Sequence, residues 1–184
     1  MRNRLCLLAA AALTIAPLAA QAQYDQYVGP EVGVFLPTDG NLRGALGSQW
    51  WSIGVSTMKQ GTMLTRKVGT NMNLISQSKN GNKVFMGSYT FGIVVPFNQD
   101  MRKANSDFQP YFAVRAGLNY TDYAITFNSQ RLGGKNLGYN ANAEFGIQFG
   151  DRFTVAARYD ISPDYDGFNF DGLSFSLRYG IVKF

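Results

Sequence analysis

Residues 137–160 read LGYNANAEFGIQFGDRFTVAARYD and alternate at every second position. Leu137, Tyr139, Ala141, Ala143, Phe145, Ile147 and Phe149 share one face, and Gly138, Asn140, Asn142, Glu144, Gly146 and Gln148 share the other. Past Gly150-Asp151 the pattern resumes, with Phe153, Val155, Ala157 and Tyr159 against Thr154, Ala156, Arg158 and Asp160. Successive strand side chains point to opposite faces, so a period of two predicts two antiparallel strands joined by a tight hairpin.

The same period extends in both directions. Downstream, Leu173, Phe175, Leu177, Tyr179 and Ile181 oppose Ser174, Ser176, Arg178 and Gly180. Upstream, Phe112, Val114, Ala116, Leu118 and Tyr120 oppose Tyr111, Ala113, Arg115, Gly117 and Asn119, and Val28, Val32, Val34 and Leu36 oppose Gly29, Glu31 and Gly33. Eight strands are predicted, at 27–36, 50–58, 63–77, 83–96, 109–123, 136–149, 152–161 and 172–183. Only 41–46 suggests a helical turn. Lys79-Asn80-Gly81-Asn82 is an Asn-Gly hairpin turn, and Lys59-Gln60-Gly61 is another tight connection. Longer loops are expected at 37–49, 124–135 and 162–171. Long and short connections then mostly alternate, except that 78–82 is short and 97–108 long.

Ahead of the strands lies a leader. Arg2 and Arg4 precede an apolar run from Leu5 to Leu18, and Ala20-Gln21-Ala22 fits a small-x-small cleavage site. The expectation is a signal peptide over 1–22 and a single barrel domain over 23–184. Its apolar run is too short to span a bilayer as a helix, and no later segment is longer. Cys6 falls inside this leader, so a mature chain has no disulfide, thiolate metal site or thiol nucleophile. Histidine is absent altogether, which removes the commonest general base and metal ligand. The net charge of +5 includes Arg2 and Arg4, and basic runs stop at pairs such as Arg66-Lys67, so nucleic acid is not an expected partner.

Alternation alone leaves sidedness open. A soluble lipocalin-like barrel carries its apolar face inside and binds a small apolar ligand, whereas a membrane barrel carries that face outside. Three features favour the second. The apolar set is crowded with rings, more than an eight-stranded lumen holds, while the opposite set is small and polar. That polar set contains three acids and three arginines, Glu31, Glu144, Asp160, Arg115, Arg158 and Arg178, a balanced group suited to pairing inside a lumen. Rings also cluster near strand ends, at Tyr27, Trp50, Trp51, Phe108, Tyr111, Tyr123, Phe149, Phe153, Tyr159 and Phe184, as an interfacial aromatic girdle requires.

With its leader, eight alternating strands, the 140–160 stretch and terminal Phe184, the chain resembles the small outer-membrane β-barrel proteins, of which the OmpA membrane domain and OmpX-like proteins are the nearest types. The resemblance implies an all-β fold, an eight-stranded antiparallel up-and-down transmembrane barrel in the cell outer membrane. It also implies contact with outer-membrane lipid or lipopolysaccharide and recognition of the C-terminal strand by the barrel-assembly machinery. Here Val182 and Phe184 depart from the parity of Leu173 to Ile181, which suggests a bulge.

The six charges are expected to plug the barrel, with a narrow ion path as the alternative. The acidic loop with Asp164, Tyr165, Asp166, Phe168, Phe170 and Asp171 lacks EF-hand spacing, and its rings are candidates for a surface contact patch. Gly133-Gly134-Lys135 lacks the spacing of a phosphate loop. Enzymatic members of such barrels use a histidine-containing catalytic set that has no counterpart here. The expectation is a non-enzymatic protein without cofactor or metal, acting structurally or through its loops on a partner the sequence does not identify.

Overall fold

A computed structural model describes residues 26–59, 67–97, 108–150 and 152–183. The chain forms β1 (Gln26–Pro37), helix α1 (Gly40–Leu46), β2 (Trp50–Lys59), β3 (Lys67–Lys79), β4 (Asn82–Pro96), β5 (Phe108–Phe127), β6 (Gln130–Phe149), β7 (Phe153–Ile161), β8 (Gly172–Tyr179) and β9 (Val182–Lys183). From β1 to β8 each strand pairs antiparallel with the next, and β9 pairs with β1. Val34 of β1 lies opposite Trp51 of β2 on one side and Phe175 of β8 on the other, which closes the sheet into a barrel. The expected signal peptide, residues 63–66 of the third predicted strand, most of 97–108 and Phe184 lie outside the described residues.

Strand β9 continues β8 past an interruption, so the barrel has eight staves. Glu31 pairs with Arg178, but Val28 pairs with Val182, so the register slips by one residue at Gly180–Ile181. This is the bulge that the parity change suggested, and it leaves Ile181 and Val182 both exposed. Gly29 faces it. A Cβ there would collide with the Tyr179 carbonyl, so only glycine lets β1 approach the bulged strand this closely.

The expected loop at 124–135 is instead strand. Alternation carries on through Ile125 and Leu132, and β5 and β6 run on to a two-residue turn at Asn128 and Ser129. Both turn residues have positive φ, 48° and 65°. That twist matches paired strands, and asparagine tolerates it better than most residues. The Asn80-Gly81 turn has the expected left-handed pair. The helical turn near 41–46 is realised as α1, capped by Asp39, whose carboxylate accepts from the Asn41 and Leu42 backbone N–H groups at 2.6 and 3.0 Å.

The two faces separate as the alternation predicts. Polar and small side chains turn inward and are buried, while a continuous band of aliphatic and aromatic side chains looks outward. Such a band exceeds what soluble monomers leave in water, and it is the reverse of the lipocalin-like sidedness. No described helix is long and apolar enough to cross a membrane. Two adjacent tryptophans record the division, since Trp51 is 74% exposed and Trp50 fully buried. In vesicles of brominated phospholipid, Trp50→Phe should leave a strongly quenched Trp51, whereas Trp51→Phe should leave a shielded Trp50. Equal quenching of the two would contradict the sidedness.

Candidate functional site

The lumen is built in layers, and the middle one is ionic. Alternation puts Glu31 of β1, Arg115 of β5, Glu144 of β6, Arg158 and Asp160 of β7, and Arg178 of β8 on the inner wall, and all six are buried. Arg178 is the hub. Its Nε donates to Glu31 at 2.8 Å and its Nη1 to Glu144 at 2.7 Å, while Nη2 takes the second Glu144 oxygen. Arg115 joins Glu144 at 3.1 Å, and Arg158 joins Asp160 at 2.9 Å and Glu31 at 3.3 Å. The structure thus brings together all six residues that the sequence grouped.

Neutral partners complete the layer. Asn71 of β3 donates to Glu31 at 2.6 Å and accepts from Arg158 at 3.0 Å. Ser174 donates to Asp160 at 3.1 Å. Tyr111 of β5 donates to Glu144 at 2.8 Å and accepts from Arg178 at 3.0 Å. Gly146 lies opposite Tyr111, and a Cβ there would occupy the space of the Tyr111 ring. The small residue therefore makes the pocket into which the phenol turns.

Tyr111 corrects the sequence reading, which placed it in a lipid-facing girdle. Trp50 and Tyr123 need the same correction: both are buried and face the lumen. Parity held the signal in each case. Tyr111 and Tyr123 share their odd positions with Arg115, and Trp50 shares its even position with Ser52. Trp51, Phe108, Phe149, Phe153 and Tyr159 do look outward. The Tyr27 side chain and Phe184 lie outside the described residues.

Toward the α1 end the ionic layer gives way to a polar one, in which Asn119 and Asn140 both donate to Ser162 and Asn142 donates to Asn140. Above that, an apolar cluster fills the mouth. Phe35 packs on Trp50 with ring centres 5.5 Å apart, Leu42 and Leu46 descend from α1, and Tyr123 packs on Phe170 at 5.3 Å. Phe168 and Phe170 are fully sequestered here, so they are not the exposed contact patch that their acidic loop suggested.

The carboxylates of that loop are also engaged internally. Asp166 accepts from the Tyr123 hydroxyl at 2.6 Å, and Asp171 accepts from the Ser162 N–H at 2.7 Å. Asp164 and Asp166 remain exposed, and Tyr165 is half-buried, its phenol pushed above its ordinary value by that burial. Asp39 ties the two large loops together, for the carboxylate that caps α1 also accepts from the Asn169 N–H at 2.8 Å. At the opposite end lies a cavity of about 50 Å³ that reaches Tyr111, Arg115 and Arg178 from below. That volume holds a few water molecules.

The family described as Outer membrane protein beta-barrel domain matches residues 6–180. Three solved structures are similar in fold. Neisserial surface protein A aligns at 12% identity over 85% of this chain and 97% of that one, with a TM-score of 0.56. The N-terminal β-barrel domain of Pseudomonas aeruginosa OprF aligns at 15% identity over 85% and 99%, with a TM-score of 0.52. Ail, the attachment invasion locus protein of Yersinia pestis, aligns at 12% identity over 87% and 97%, with a TM-score of 0.50. No curated protein matches the chain.

Removing one member of the ionic layer leaves buried charges without their counter-charge. Glu144→Ala leaves Arg115 and Arg178 short of their main counter-charge and should cost about 3–5 kcal/mol of stability. Tyr111→Phe removes one hydroxyl that both donates and accepts, and should cost about 1–3 kcal/mol. Urea titration of the folded barrel in phospholipid checks both. Equal stability of Glu144→Ala and the parent would contradict the layer's role.

Proposed function

The chain belongs to the outer membrane protein β-barrel family, and from that premise we propose that it is a sealed, non-enzymatic barrel holding its α1-end loops at the cell surface. It resides in the outer membrane and crosses it as strands. The observation that carries the proposal is the double closure of the lumen. A neutral ionic layer fills the centre, and an apolar cluster fills the mouth above it.

Each closure opposes ion passage for a different reason. In the centre, Glu31, Glu144 and Asp160 already hold Arg115, Arg158 and Arg178, so a passing ion must break pairs that are buried across the lumen. At the mouth, an ion must shed its hydration among Trp50, Phe35 and Phe170. A narrow pore, the other reading, needs both to open together. With the inside closed, the chemistry open to a partner lies on the outward band and on the loops around α1 and 162–171. The same reading assigns recognition by the barrel-assembly machinery to the C-terminal strand that carries the bulge.

Planar-bilayer recording tests the seal. The parent protein should give no unitary steps, and Glu144→Ala should also give none, because the apolar cluster remains. Asp39→Ala removes both the α1 cap and the bond to Asn169, so it should loosen the mouth and expose the Arg43 bond to trypsin without unfolding the barrel. Steady ohmic steps from the parent would overturn the sealed-barrel reading.

A further inference from the structure

On strands β4 to β6, near the α1 end, the outward face changes character within one step of pairing. Phe85, Tyr120 and Leu137 form part of the apolar band, with the Phe85 and Tyr120 rings 6.4 Å apart and Leu137 74% exposed. One pairing step beyond Tyr120 and Leu137, Asp122 lies opposite Lys135. One further step puts Lys83, Ala124 and Gly133 side by side, and the next pairs Thr126 with Arg131. Lys83, Arg131 and Lys135 are exposed and point outward, because they share parity with Phe85 and Leu137.

Two small residues, Ala124 and Gly133, thus form the floor of a shallow hollow with a cation on each of three sides. Strands about 4.8 Å apart, rising about 3.4 Å per residue, place the three cationic positions roughly 12–14 Å from one another. Long flexible side chains from such positions can converge on one anion over the floor. Among the described residues no ion pair neutralises Lys83, Arg131 or Lys135, whereas each arginine within meets at least one carboxylate. The acid that faces the hollow is Asp122, half-buried at its lower edge. Around the barrel, the rim differs in sign: the loop between β7 and β8 exposes Asp164 and Asp166.

We propose that this hollow holds the phosphate of a membrane lipid in the leaflet at the α1 end of the barrel. Height argues for a lipid over other anions. The cations begin where the apolar band ends, and lipid phosphates sit at that boundary, just outside the hydrocarbon. A lipid whose chains lie along Phe85 and Leu137 places its headgroup over Ala124 and Gly133. Charge complementarity then fixes it on this side of the barrel and not beside the acidic loop. The inference rests on the outer-membrane assignment but not on whether the lumen is sealed.

The test uses the full barrel, folded in a non-ionic detergent and titrated with dioctanoyl phosphatidic acid, with bound lipid counted by native mass spectrometry. Heat-modifiable gel mobility confirms that each variant is folded, which is expected because the substituted side chains are exposed. The combined variant Lys83→Gln, Arg131→Gln and Lys135→Gln should bind at least about tenfold more weakly than the parent. Arg43→Gln, which removes an exposed cation on α1 outside the hollow, should leave binding unchanged. Asp122→Asn should tighten it by about threefold. Dioctanoyl phosphatidylcholine should bind more weakly, and excess inorganic phosphate should fail to displace the lipid. Undiminished binding in the triple variant overturns the site. So does an equal loss in Arg43→Gln, or displacement by inorganic phosphate, which would mark a free-anion site.

Discussion

Three carboxylates and three guanidinium groups that cannot reach bulk water must satisfy one another, and the barrel is organised around that requirement. Arg178 meets two acids that flank its own strand, Glu31 on the neighbouring β1 and Glu144 on β6, two strands away on the other side. Glu144 in turn gathers Arg115 from β5 and the Tyr111 hydroxyl. The layer therefore ties together strands from around the whole circumference, which backbone pairing links only to their neighbours. A buried pair of this kind is weak evidence of net stabilisation against an apolar core. It does penalise every register that would leave a charge alone. In a barrel, where a one-residue slip turns all inward groups toward lipid, that penalty specifies the fold.

Much of this was legible in the sequence, because parity is a local property. The 137–160 stretch, the six lumen charges and the Asn80-Gly81 turn are all readable from alternation and turn chemistry. The misplacement of Trp50, Tyr111 and Tyr123 came from letting residue type outweigh parity, since rings near strand ends suggested an interface while their positions said lumen. Pairing within the layer was not legible. Glu144 lies opposite Arg158 in the β6–β7 register, yet its close ion pairs are with Arg115 and Arg178. Side chains in a narrow lumen reach across it, so their partners depend on strand tilt and closure, which a linear pattern does not encode. The fate of Phe168 and Phe170 was hidden for a similar reason. Their loop looks acidic and exposed, and the cluster that buries them draws on α1 and on the ends of β1 to β6.

The two closures differ in kind, and the difference explains why both are present. An ionic layer in a small barrel can rearrange, because each arginine carries several donors and water can reach it from the cavity below. The apolar cluster offers an ion no ligand in any arrangement. It is assembled from two loops that need an anchor, which Asp39 provides by capping α1 and accepting from Asn169. One carboxylate thus couples the local stability of a seven-residue helix to the seat of the 162–171 loop. The helix is too short to be stable alone, so the tie acts in both directions.

The inner and outer surfaces follow opposite rules for charge. Inside, every acid is matched by an arginine at short range, because an unmatched charge there is cut off from bulk solvent. Outside, Lys83, Arg131 and Lys135 outnumber the one acid beside them, Asp122, and form no ion pair among the described residues at the edge of the apolar band, where water and lipid headgroups can supply their partners. A stability argument alone gives no reason to gather three like charges around a floor of alanine and glycine, since exposed cations at that spacing repel weakly and add nothing to the fold. The arrangement makes sense once the bilayer is counted as part of the structure. The lumen neutralises its own charges, whereas the rim leaves part of its charge for the membrane to neutralise.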